Sequence, residues 1–126
     1  MKIENKIRID ILNAIYKSSA SHIASALSIV EILISIYSNV DLDLVQSKDI
    51  HRDYVVLSKG HAGIALYSTL KNFEILSEES LEDYYLNGSK LSGHISHKDN
   101  IGVEFSTGSL GHGLGVCSGI AYSKKI

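Results

Sequence analysis

Apolar residues open the chain at helical spacing. Ile3, Ile7, Ile11, Ala14 and Ile15 fall on one stripe, with Lys6, Arg8, Asp10 and Lys17 elsewhere, predicting a helix with one buried face. The pattern decays into Ser18-Ser19-Ala20-Ser21 ahead of His22. Ser28-Ile29-Val30-Glu31 reads as a capping box, in which Ser28 and Glu31 exchange backbone hydrogen bonds. The helix it opens, from Ile29 to about Ser38, is apolar nearly all round and calls for partners on more than one side. Residues 39–53 are polar and loop-like. Tyr54-Val55-Val56-Leu57 is a short continuous apolar run and predicts a buried parallel strand. Ala62, Ala65, Leu66 and Leu70 then resume helical register, and another helix is expected near Ser77, with Glu78 and Glu79 in its first turn.

Residues 87–101 form a polar, glycine-containing loop. From about Leu110 a last helix is expected, with Gly111, Gly115 and Gly119 in a row that admits a close backbone neighbour. Each helical glycine costs about 1 kcal/mol of propensity. Val103-Glu104-Phe105 is the single candidate for a second strand. Two strands do not make a stable parallel sheet, so the pattern describes an unfinished one.

The 126 residues amount to one domain at most. A 44% hydrophobic content and mean hydropathy of +0.09 exclude a disordered polyelectrolyte. Twelve basic residues against fourteen acidic ones, scattered, leave no stripe for nucleic acid and no polybasic membrane patch. No run approaches the ~20 apolar residues of a membrane span, and the N-terminus lacks a signal peptide's apolar core. Cys117 is the single cysteine, which fits a reducing, cytoplasmic setting.

Six histidines, and ten glycines with no proline, are unlike a plain helical bundle. Ser58-Lys59-Gly60-His61-Ala62 follows the strand, where α/β folds bind ligands. His61 there stands beside a helix N-terminus suited to an anion, although an ordinary turn with a solvated histidine has the same sequence. Ser106-Thr107-Gly108-Ser109-Leu110-Gly111-His112-Gly113 is a second small-residue loop. Its free N–H groups suit a phosphate or a heteroaromatic edge; helix packing is the plainer reading. Neither loop matches a dinucleotide or Walker fingerprint. His94 and His97, with His112 and Cys117, lack zinc-site spacing, so no metal ligands are assigned. Cys117 reads as a packing residue.

Taken in order, four blocks resemble the start of a transketolase. They are Ser21-His22-Ile23-Ala24, the run from Arg52 to Ala62, Ser92-Gly93-His94, and the run from Gly102 to Gly113. The resemblance covers residues 6 to 124. Deoxyxylulose-phosphate synthase, which uses the same cofactor, is less similar. The resemblance implies an α/β fold, here the helix-rich N-terminal part of a thiamine diphosphate-binding domain over residues 1–126, its parallel sheet flanked by helices. It also implies transfer of a two-carbon ketol unit between sugar phosphates, with thiamine diphosphate and a divalent metal such as Mg2+.

By the same resemblance, His22 contacts the sugar near its reacting carbons and His94 hydrogen-bonds the donor's C1 hydroxyl. His61 lies by the diphosphate, and Gly108, Ser109 and Leu110 hold the aminopyrimidine through backbone groups. The family's glycines in the first block are replaced by Ser21, Ala24 and Ser25, and His112 stands where many members have glutamine. The family's Gly-Asp-Gly metal motif lies beyond Lys124-Lys125-Ile126, so the Mg2+ ligands are absent from this chain. The implied partners are a sugar phosphate and the missing C-terminal part or a partner subunit, in a complete enzyme that is a dimer. The chain alone is expected to be inactive and aggregation-prone. The alternative is a non-catalytic remnant, or a partner-binding subunit of a split thiamine diphosphate enzyme.

Overall fold

The computed structural model describes residues 1–125; the domain range 1–126 ends on Ile126, which lies outside the described residues. The first helix, α1 (Ile3–Ser18), buries four residues of the predicted stripe: Ile7, Ile11, Ala14 and Ile15. Ser19 stops it in the left-handed region (φ 54°). A short helix, α2 (Ile23–Leu27), follows His22.

Next comes α3 (Val30–Tyr37), which buries Val30, Leu33 and Tyr37. Ile32 and Ile36 remain exposed, so its other apolar faces are uncovered among the described residues. The capping box does not form. The Ser28 hydroxyl donates to the Ser25 carbonyl at 2.9 Å. Arg8 of α1 pairs with the Glu31 carboxylate, taking the group that would have reached back. The supposed loop at 39–53 contains α4 (Leu42–Gln46), capped by the Asp41 carboxylate accepting from the Leu44 N–H at 3.1 Å.

Central to the core is α5 (Gly63–Asn72), buried without interruption from Gly63 to Leu70 and packed by α1, α2 and α3. Having neighbours on several sides, it needs no polar face. Burying Ile64, Leu66 and Leu70 contributes about 1.5–3 kcal/mol each. The Thr69 hydroxyl is satisfied within the helix, donating to the Ala65 carbonyl at 2.8 Å. The Tyr67 hydroxyl accepts from the Ser96 N–H at 2.9 Å and so docks the loop that carries His94.

The expected parallel sheet is not present: no described residue belongs to a β-ladder. Residues 52–57 and 104–107 nevertheless lie side by side and run in the same direction. Arg52 grips both carboxylate oxygens of Glu104 at 2.8 Å, and the Thr107 hydroxyl donates to the Leu57 carbonyl. These are side-chain ties. A two-stranded parallel pair has too few neighbours to hold a ladder of slanted backbone bonds.

The helix expected near Ser77 is a single 3-10 turn, Glu78–Leu81. The last helix, α6, spans His112–Lys125. Its glycine row is not a packing seam here. Gly111 precedes the helix at φ +83°, and a Cβ at Gly115 or Gly119 would meet nothing within 4 Å. Gly113 alone is in close contact, because its Cβ would lie 2.8 Å from Ser58 Cα. No described helix is long and apolar enough to cross a membrane.

Candidate functional site: a three-histidine cluster

Three loops meet at the N-terminal end of α5. His61 lies in the 3-10 turn Gly60–Ala62 that leads into that helix. Both sides of this turn are packed backbone against backbone. A Cβ at Gly60 would sit 2.0 Å from the Thr107 carbonyl oxygen, and one at Gly63 would sit 2.9 Å from Ile95 N. Any larger residue at either position would push the loops apart. The Ile95 N–H donates to the Gly60 carbonyl at 3.2 Å, and buried Ile95 anchors the segment. His94 is thereby fixed beside His61.

His22 arrives from the other side as the N-terminal cap of α2, at φ 70° and ψ 18°. A left-handed backbone on a non-glycine residue costs on the order of 1–3 kcal/mol, and Ser19, Lys48, Glu74, Tyr85 and Asp99 share it with His22. It turns His22 toward the other two. The ring centroids of His22 and His61 are 4.9 Å apart, those of His61 and His94 4.5 Å, and those of His22 and His94 5.7 Å.

The cluster has an exposed side and a covered side. His22 and His94 are exposed and His61 is partly buried. Nδ1 of His61 is shut off from solvent with no hydrogen-bond partner among the described residues. Such an orphan is costly unless a ligand or water satisfies it. Partial desolvation, with the neighbouring His61 and His22, holds His94 below the ordinary imidazole pKa. A small pocket bounded by Ala20, His22, Tyr84, Tyr85, Gly93 and His94 opens beside the cluster. Burial pushes the Tyr84 hydroxyl up to about 12, so it stays protonated and donates to the Gly93 carbonyl at 3.4 Å.

The structure brings His22, His61 and His94 together. Gly108 adjoins them, since a Cβ there would lie 3.8 Å from His94 Cδ2. Ser109 and Leu110 continue that loop on the exposed surface, and the Ser109 carbonyl accepts from the His112 N–H. His97 does not join His94. Its Nδ1 lies 2.7 Å from the Ser106 hydroxyl and its ring stacks on Phe105. His112 packs edge-on against Phe105.

As one potential ligand set, the three histidines are not visible in the sequence, because no local spacing links positions 22, 61 and 94. Tyr84 and Tyr85 carry no sequence signal either. Lys59, whose Nζ donates to the Ser28 hydroxyl at 2.9 Å, stands out only as part of its motif. A larger hollow elsewhere is lined by Asp10, Lys71 and Glu78. Lys71 spans both carboxylates at 3.0 Å, and Asn72 donates to Asp10 at 2.7 Å. Three of its charged groups are thus tied to one another, while Lys17 and Glu82 also line it.

Residues 1–126 match the profile of the family described as transketolase, thiamine diphosphate binding domain. The chain belongs to this family. The apulose-4-phosphate transketolase subunit of Phocaeicola vulgatus is 38% identical over 124 residues, covering 96% of this chain and 43% of that protein. The 6-deoxy-6-sulfo-D-fructose transketolase subunit SqwG of a Clostridium species is 35% identical over 123 residues, covering 97% of this chain and 45% of that protein. Human transketolase is 33% identical over 122 residues, or 96% of this chain and 19% of the enzyme. The chain thus spans less than half the length of these relatives. The family fold is α/β and binds thiamine diphosphate, whereas the described part of this member is helical.

Proposed function

We propose that the chain is the N-terminal, thiamine diphosphate-binding section of an enzyme that transfers a two-carbon ketol unit between sugar phosphates. The observation that carries this reading is the convergence of His22, His61 and His94 from three separate loops, in a chain whose family binds thiamine diphosphate. The residues fit that cofactor. The orphaned His61 Nδ1 is a polar group in want of a partner, and the tight Gly60 and Gly63 contacts hold the turn that carries it against the 94–95 and 107 backbones.

Thiamine diphosphate, when bound, supplies the electron sink that cleaving a ketol bond requires. His61 would hold the diphosphate. The backbone of Gly108, Ser109 and Leu110 would hold the aminopyrimidine. His22 would contact the sugar near its reacting carbons, and His94 would hydrogen-bond the C1 hydroxyl of the donor. Partial desolvation, with the neighbouring His61 and His22, holds His94 below the usual imidazole pKa, which favours its neutral, hydrogen-bonding form. Mg2+ belongs to the family's chemistry, but none of these residues is assigned to hold it.

The name "subunit" borne by two of the relatives supports an arrangement in which further polypeptide completes the enzyme; that the complete enzyme is a cytoplasmic dimer is part of the proposal. Residues 1–126 then form one partial domain. A non-catalytic remnant or partner-binding subunit is the competing reading, favoured by the exposed Ile32, Ile36, Leu114 and Tyr122. Thermal unfolding with thiamine diphosphate and Mg2+ separates the two. At about 100 times its Kd the cofactor should stabilise the fold by about 2.7 kcal/mol, and His61→Ala should abolish that shift. No shift, with or without a C-terminal partner subunit, would establish the remnant.

A further inference from the structure

We propose that His22, His61 and His94 form a transition-metal site that takes one Zn2+ ion through three imidazole nitrogens, distinct from the family's carboxylate-type Mg2+ chemistry. One ligand nitrogen from each ring can be chosen so that all three lie within 4.8 Å of one another. In a tetrahedral zinc site with Zn–N bonds of about 2.0–2.1 Å, ligand nitrogens are separated by about 3.3 Å. Closing the difference needs a movement of about 1.5 Å at most, shared among three rings. Two of those rings are exposed and free to turn.

The donor type selects the ion. Three neutral nitrogens with no carboxylate in the set suit Zn2+, Co2+, Ni2+ or Cu2+ and are poor ligands for Mg2+ or Ca2+. The donors are also carried on anchored backbone. His94 is held by the Ile95-to-Gly60 bond and by the Ser92 hydroxyl donating to its carbonyl at 2.7 Å. His22 is held at the head of α2, its own carbonyl accepting from the Ala26 N–H at 3.0 Å.

The exposed side of the cluster leaves the fourth coordination position to water, the pattern of an open rather than a structural zinc site. Binding does not depend on the function proposed above. Its consequence does: an ion seated there occupies the nitrogens assigned to cofactor and sugar, so metal binding and ketol transfer exclude each other at this cluster.

Titration of the 126-residue chain with Zn2+ by calorimetry, and with Co2+ by visible absorption, tests the proposal without any activity measurement. One equivalent is expected, with the intense d–d bands of a tetrahedral Co2+ site. Loss of one imidazole should weaken binding by about 100-fold or more, since outer-shell changes alone cost 10–100-fold. His22→Ala and His94→Ala alter exposed residues and should retain the parent's circular dichroism. His61→Gln covers the half-buried position, and His51→Ala, at an exposed histidine outside the cluster, should bind as the parent does. Absence of binding, octahedral Co2+ spectra, or unchanged affinity in His22→Ala and His94→Ala would overturn the site. Failure of thiamine diphosphate to bind while Zn2+ still does would count against the function alone.

Discussion

Gly60→Ala puts the assembly of the site under a direct test. The added Cβ would lie 2.0 Å from the Thr107 carbonyl oxygen and 2.5 Å from the Thr107 carbonyl carbon, both backbone atoms. A carbon–oxygen contact relaxes at about 3.3 Å, so the 107–110 loop must withdraw by about 1.3 Å. That withdrawal breaks the hydrogen bond from the Thr107 hydroxyl to the Leu57 carbonyl, worth about 1 kcal/mol. Overpacking adds about 1–3 kcal/mol, for a total of about 2–4 kcal/mol. At about 4 °C per kcal/mol for a chain of this size, Tm should fall by about 8–16 °C.

Urea and thermal unfolding followed by circular dichroism would read the change. Gly115→Ala supplies the control, because its Cβ enters open space within α6, and it should stabilise by about 0.5–1 kcal/mol. If Gly60→Ala unfolded within about 0.5 kcal/mol of the parent, the 58–60 turn and the 107 loop would not be in backbone contact. The account of how His61 is positioned would then fail.

Two further outcomes are expected. Glu104→Gln leaves Arg52 with one charged partner fewer, and both side chains are mostly buried (15% and 12% exposed); the urea midpoint should fall by the equivalent of about 1–3 kcal/mol, whereas an unchanged midpoint would mean that the tie between residues 52–57 and 104–107 is ornamental. The pKa of His94 is depressed in the fold, so the unfolded chain binds its proton more readily and stability should decline as pH falls below about 6.5; His94→Gln should flatten that decline between pH 7.5 and 5.5, and an identical slope in both proteins would refute the crowding of the three rings.

Where burial followed a simple period, the sequence was legible. The stripe of α1 predicted that helix and the face it buries, while the register of Ala62, Ala65, Leu66 and Leu70 predicted α5 but only one side of its all-round burial. The shorter helices were hidden for different reasons. Five residues are too few for α2 to show a period, while α4 had a visible signal in Asp41, a good N-terminal cap, that its polar neighbours masked. The capping box failed because Glu31 found a stronger partner in Arg8, a contact between helices that no local motif encodes. The strand at 54–57 has the right composition, but a ladder is a property of neighbours. The site was legible only through resemblance. Each histidine taken alone was equally consistent with a solvated loop, and what joins them is tertiary: the Gly60, Gly63 and Ile95 packing on one side and the left-handed turn at His22 on the other.

The dispersal of the cluster along the chain has a kinetic and diagnostic consequence. The helices α1, α2 and α3 pack on α5 and on one another. The meeting of residues 22, 61, 94 and 108 depends instead on closing loops across most of the sequence, each at an entropic cost that is recovered only when all are shut. Local opening of the 94–108 region would therefore dissolve the cluster while leaving far-ultraviolet dichroism almost untouched. Helicity is a poor witness to whether molecules in a preparation are competent. Exchange protection at the Ile95 amide, bonded to Gly60, reports on the assembled state directly, and its opening free energy sets an upper limit on the fraction of time the three rings stand together.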